Sequence, residues 1–224
     1  MAQRLLHYLI GERLISSALA HPSAEDAARF RLGNLLPDAY PPGRANELRK
    51  TTHFIVRLSE TEPVQKCSDF ERFRRMFRQR IPLDGLYLGY YLHLVSDACY
   101  RRLFYASVTD AFAQTAENIS FLHRDYHILN ALIVRKFKLE NALLVCPSVE
   151  NEPIMAIAPF DAAGIVSALD DDFKENTAGE LRYLAPELPE KFIEYALPVC
   201  LEALEGLLSG SPMDPASLTW RRNK

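Results

Sequence analysis

The stretch YLGYYLHLVSDACY, Tyr87 to Tyr100, is apolar or aromatic at almost every position, yet it holds His93, Ser96 and Asp97. At 100° per residue a helix places His93 and Asp97 on one stripe with Leu86, Tyr90, Tyr100 and Phe104. Both polar heads therefore point where the aromatic rings point. A carboxylate taken out of water is costly unless a cation or hydrogen-bond donors compensate. The stretch thus predicts a central buried helix, running from about Asp84 to Tyr105, whose Asp97 needs a partner; a neutral His93 hydrogen-bonded to it and a bound cation are both open readings.

Helical periodicity continues on either side. Residues 2–20 repeat Leu6, Ile10, Leu14 and Ala18 at every fourth position, and His7 falls on the same inward stripe. LGNLLPDAYPPGR, Leu32 to Arg44, reads as an ordered loop, and residues 45–58 fit either a strand or a helix. SDFERFRRMF, Ser68 to Phe77, opens with a Ser or Asp N-cap and puts Phe70, Phe73 and Phe77 on one face. Further helices are predicted over 109–118, 120–138, 161–174 and 188–209, with an irregular segment over 139–159 that contains Pro147 and Pro153. The expectation is an all-α fold: one domain over residues 1–210 and a loose tail over 211–224.

With 224 residues, 48% of them hydrophobic, the chain is long enough to bury a full core. A formal charge of −3 gives no general pull toward nucleic acid or anionic membrane. Cys67, Cys99, Cys146 and Cys200 are scattered without a paired spacing, so reduced thiols and a cytoplasmic location are expected. No secretory leader and no apolar run long enough to span a membrane is evident. The arginine run Arg72, Arg74, Arg75, Arg78 and Arg80 lies mostly opposite the phenylalanine face and reads as a solvated surface.

Two more segments carry candidate ligands. Pro37 fixes the backbone just before Asp38, and His53 stands beside Phe54 in TTHF. In FLHRDYHILNALIVRKF, Phe121 to Phe137, the pair His123 and His127 has a familiar i, i+4 metal spacing. The wheel places both outside the apolar stripe of Leu122, Tyr126, Leu129, Leu132, Ile133 and Phe137, whereas Asp125 falls inside it. Asp125 is therefore the buried charge of that helix.

The inward His7, then GNLLPDA, THF, LGYYLHLVSD and RDYHILN occur in that order between His7 and Asn130. In this the chain resembles the zinc-dependent phospholipase C family, chiefly its small non-secreted bacterial members. The resemblance implies a helical bundle shared with single-strand-cutting zinc nucleases, and a cluster of zinc ions. Asp38, His53, His93 and Asp97 would bind one zinc, with Asp97 bridging to a second that also takes His7. Asp38 would double as general base, and Asp125 and Tyr90 would be second-shell or substrate-facing. The secreted enzymes use an amino-terminal tryptophan, but here the only one is Trp220. In place of further ligands stand Leu103, Phe104 and the pair His123 and His127. Two zinc ions are therefore expected and a third is left open, with His123 and His127 as its weaker candidates.

The function implied is hydrolysis of a small phosphoester or phospholipid-like substrate by a metal-activated water, with no stable nucleic acid partner. Two alternatives stand beside it. An HD-type nucleotide phosphohydrolase is also helical with a His/Asp metal set, but its adjacent His-Asp pair is missing here. A non-enzymatic helical binding module would keep the inward His and Asp residues as a structural network.

Overall fold

The helix predicted from Tyr87–Tyr100 is the axis of the fold. In the computed structural model, which describes residues 3–19, 22–61, 64–107 and 115–222, it runs from Gly85 to Ser107 as α5. It packs against α1 (Arg4–Ala18), α2 (Ala24–Gly33), α4 (Phe70–Phe77) and α8 (Leu188–Ser209). Residues Tyr90 to Tyr100 are all buried, which is why this apolar helix shows no polar face. Its contact with α2 is unusually close. A Cβ at Gly89 would collide with the Phe30 carbonyl and one at Gly33 with the Leu86 carbonyl, so the two helices run backbone against backbone. That approach lays α2 along the first two turns of α5.

Local chemistry explains the other helix starts. Asp69 accepts from the Arg72 N–H at 2.9 Å and caps α4, whose Phe70, Phe73 and Phe77 are buried. Asp161 caps α7 (Ala162–Lys174) through the Gly164 N–H at 2.9 Å, and Thr115 caps α6 (Ala116–Phe137). The helix expected over 109–118 falls mostly outside the described residues, and its last residues belong to α6. Among the described residues no helix is long and apolar enough to cross a membrane.

The chain is mostly helical, in keeping with the all-α expectation at that coarse level, and it adds a small three-stranded sheet. The ambiguous segment 45–58 is both elements in turn: α3 (Ala45–Thr52), then β1 (Ile55–Arg57). β1 pairs antiparallel with β2 (Val64–Ser68), with Val56 opposite Cys67. The third strand comes from the expected tail. Its 3-10 turn Pro215–Leu218 leads into β3 (Trp220–Arg222), which pairs antiparallel with β2 and buries Trp220. Segment 211–222 is thus tied into the fold instead of hanging loose. Strands of three to five residues are too short to display a period of two, and the β2–β3 pairing joins residues about 150 positions apart.

The arginine run behaves as a surface. Arg74 pairs with Glu71 and Arg80 with Glu152, Arg72 lies over the Phe54 ring, and Arg75 and Arg78 are exposed.

Candidate metal centre

Four segments deliver polar side chains to one point in the core. α1 is buried on all sides from Leu5 to Gly11 and carries His7 inward. A 3-10 turn, Leu36–Asp38, with Pro37 inside it, follows α2 and presents Asp38. α5 contributes His93, Ser96 and Asp97, each fully buried. His53 is the C-cap of α3, and the chain leaves it through Phe54 at φ 51°, a left-handed conformation that a bulky residue adopts only when its surroundings impose it. Those surroundings are visible. The Phe54 N–H donates to the Thr51 carbonyl, its carbonyl accepts from Asp69 N–H, and its ring stands edge-on to Phe73. The strained turn aims His53 at α5.

Ligand-capable atoms of His7, Asp38 and His93 all lie within 4.8 Å of one another. His53 Nε2 is 3.3 Å from Asp38 Oδ1, 3.3 Å from His93 Nε2 and 3.8 Å from Asp97 Oδ2. The His7 and His93 rings stack at 3.9 Å between centroids.

The surrounding hydrogen bonds assign two tautomers. His93 Nδ1 is 2.8 Å from the Asn34 carbonyl, which can only accept, so Nδ1 carries the proton and Nε2 a bare lone pair. Ser96 Oγ donates to the His93 carbonyl at 3.1 Å, so it accepts from His7 Nδ1 at 3.2 Å. His7 Nε2 is therefore bare as well, and it is buried with no hydrogen-bond partner among the described residues. The third imidazole is anchored more freely: His53 Nδ1 meets the Thr52 hydroxyl at 3.1 Å and the Tyr40 hydroxyl at 3.2 Å, and each can donate or accept. Each ring thus has one nitrogen held by a partner and the other turned to the cluster, the arrangement that orients histidine ligands around a metal.

Electrostatics agree with neutral rings among ionised carboxylates. Burial lowers the His7 pKa to about 4 and holds His93 well below the usual histidine range, neighbouring imidazoles adding to the effect. Burial opposes ionisation of Asp38, but the hydrogen bond from His53 and the surrounding imidazoles of His53, His93 and His7 outweigh it and keep the carboxyl well below its ordinary range. For Asp97 burial is outweighed chiefly by Arg101.

Arg101 is the residue that sequence reading overlooked. Its Nε donates to Asp97 Oδ2 at 2.5 Å, its side chain is itself buried, and its guanidinium lies 5.1 Å over the Trp220 ring. The cation expected for Asp97 is supplied by the chain, one helical turn on. The signal was the same i+4 spacing that joins His93 to Asp97. Ser96 stood out in the apolar stretch, but the Asn34 backbone carbonyl and the hydroxyls of Tyr40 and Thr52, which anchor the other imidazoles, gave no signal.

The remaining candidates lie elsewhere or do other work. Tyr90 is fully buried, stacks on Phe73 at 4.5 Å and donates to the Thr52 carbonyl at 2.7 Å, bracing the residue next to His53. Asp125 is buried, and its oxygens accept from the backbone N–H groups of Arg182, Tyr183 and Leu184 at 3.0, 2.7 and 2.9 Å. That is a loop anchor, a different task from the second-shell or substrate-facing one. His123 and His127 are exposed; His127 pairs with Glu175 at 2.7 Å and His123 stacks on Tyr126. A cavity of about 470 Å³ between α6 and the 177–186 segment is lined by Ile128, Leu132, Arg135 and Leu184 and by none of the cluster residues.

No protein-family model, no curated protein and no solved structure matches this chain.

Proposed function

We propose that the chain is a metal-dependent hydrolase, with a zinc ion held by His7, Asp38 and His93 and flanked by His53. The observation that carries this reading is the bare, buried Nε2 of His7, which has no partner among the described residues, beside an ionised carboxylate and a second bare imidazole nitrogen. A buried acceptor without a donor is costly, and a cation removes that cost. Imidazole and carboxylate donors suit zinc. Bound here, such an ion would activate a water near neutral pH and polarise an ester oxygen.

The chain's own residues divide the rest of the work. Asn34 and Ser96 hold the tautomers of His93 and His7, so neither ring has to rearrange. His53 has to shift its proton from Nε2 to Nδ1 to turn a lone pair inward, and the Tyr40 and Thr52 hydroxyls can receive it there. Asp38, held so far below the ordinary carboxylate range, is a better ligand than a general base. Asp97 would help hold a second zinc, as the resemblance implies, in competition with Arg101, which engages its Oδ2. The phosphoester substrate rests on the resemblance to the phospholipase C family.

A metal-free structural network is the second reading, favoured by the Asp97–Arg101 pair, which closes without any ion. Elemental analysis after zinc loading, followed by a panel of phosphodiesters, phosphomonoesters and phospholipids, tests the proposal. Zinc uptake with turnover that chelation abolishes is the expected result; a zinc-free protein is the opposing one.

A further inference from the structure

We propose that Arg49 is the anion-binding residue at the mouth of the cluster, engaging the phosphoryl oxygens of an ester substrate. This rests on the hydrolase reading and names the group that holds the substrate's charge. Arg49 stands four residues before His53 on α3, and the His53 N–H donates to the Arg49 carbonyl at 3.0 Å, so helical register is kept and both side chains leave the same face. Arg49 as a whole is half-buried. Its Nε is fully buried and has no hydrogen-bond partner, and no carboxylate pairs with Arg49 among the described residues. The other cations of this segment are engaged or in water: Arg44 grips Glu47 at 2.7 Å, and Lys50 is exposed.

Tyr40 connects Arg49 to the centre. Its hydroxyl lies 3.4 Å from Asp38 Oδ1 and 3.2 Å from His53 Nδ1. The same hydroxyl meets Thr52 Oγ1 at 3.3 Å, and Thr52 Oγ1 donates to the Arg49 carbonyl at 3.5 Å, so the turn of α3 that carries Arg49 is joined to the site through Thr52 and Tyr40. Asp38 and Tyr40 are also the members of the site that are not wholly closed off from solvent. The open side of the site is therefore bounded by the face of α3 that carries both Arg49 and His53. A guanidinium presents paired donors that match two oxygens of a phosphoryl group, and a buried unpaired donor is relieved when such an acceptor arrives. With the carboxylate of Asp38 engaged by a cation, an incoming anion meets net positive charge.

The test titrates inorganic phosphate, by calorimetry at fixed ionic strength, into zinc-loaded wild type, Arg49→Met, Arg49→Lys and the exposed control Arg75→Met. Zinc content and thermal melting are measured on each. The expected result is a loss of about 10- to 100-fold in phosphate affinity in Arg49→Met at unchanged zinc content, the range for a hydrogen bond to a charged group. Arg49→Lys keeps the charge without the fork and recovers part of the loss, while Arg75→Met binds as wild type. Wild-type affinity in Arg49→Met overturns the proposal. Should Arg49→Met fail to fold, unchanged affinity in Arg49→Lys overturns it instead. If no variant takes up zinc, the hydrolase reading falls by itself. The metal-free titration then decides Arg49: binding that Arg49→Met weakens keeps the proposal, and binding absent or indifferent to Arg49 overturns it.

Discussion

Asp97 and Asp125 are both fully or almost fully buried carboxylates in the middle of apolar helices, yet they are held in opposite ways. Asp125 receives three successive backbone N–H groups from residues 182–184. Those donors are neutral and fixed by the chain, so the carboxylate is saturated and staples a loop to α6. Asp97 is held by side chains, the Arg101 guanidinium at 2.5 Å with His53 at 3.8 Å, beside the bare imidazole nitrogens of the cluster. Side-chain partners can be exchanged for a ligand; backbone partners cannot without unfolding the loop. Burial alone therefore does not mark a functional carboxylate. The kind of donor that satisfies it does.

The comparison can be broken most sharply at Asp97. Asp97→Asn leaves Arg101 as an uncompensated buried charge, and a loss of about 3–5 kcal/mol in unfolding free energy is expected. Adding Arg101→Met should recover a substantial part of it, measured as a double-mutant cycle in denaturant. Additive losses would mean that the pair does not hold the core. Asp125→Ala should cost somewhat less, about 3 kcal/mol, by stranding donors of a loop that can still reach water. Its zinc content should stay that of wild type, and a fall in zinc would show that Asp125 does act on the cluster.

Acid comes next in size. The folded-state pKa of His7, about 4, lies below the ordinary 6.5, so the unfolded chain takes up the proton first as pH falls. Stability is therefore full above pH 6.5 and declines between 6.5 and 4, by about 3 kcal/mol for His7 alone. His93 shifts in the same direction and adds to the loss, while Asp38 and Asp97, depressed below the ordinary 3.8, withdraw theirs only at still lower pH. Chelator-treated protein melted from pH 8 to 4 should show this decline beginning near 6.5, and a flat profile down to pH 4.5 would contradict the buried neutral rings. The smallest effect belongs to the surface: His123→Ala with His127→Ala should change stability by less than about 0.5 kcal/mol and zinc content not at all. Loss of a zinc equivalent there would move a metal site onto α6.

Much of this contrast is legible in the sequence, up to a definite limit. Long periodic stretches announce α5, α7 and α8, and the wheel correctly separates buried Asp125 from exposed His123 and His127, because burial follows a helix face. What a buried group meets depends on chain that is distant in sequence. Residues 182–184, which hold Asp125, lie in a segment without periodicity, and β3 pairs across most of the chain length. Arg101 is the instructive miss. Its spacing from Asp97 is local and plain, but an arginine after an apolar run reads as a side chain reaching water, and only the packing of Trp220 over it reveals its burial.

The most direct test of the central claim is the zinc content of purified, zinc-loaded wild type set beside His93→Ala, with folding checked by circular dichroism. The account predicts about one zinc ion or more per wild-type chain, and a folded His93→Ala that has lost it. Less than about 0.2 equivalents in the wild type, or equal zinc in both proteins, would contradict it and leave the cluster as a hydrogen-bonded core.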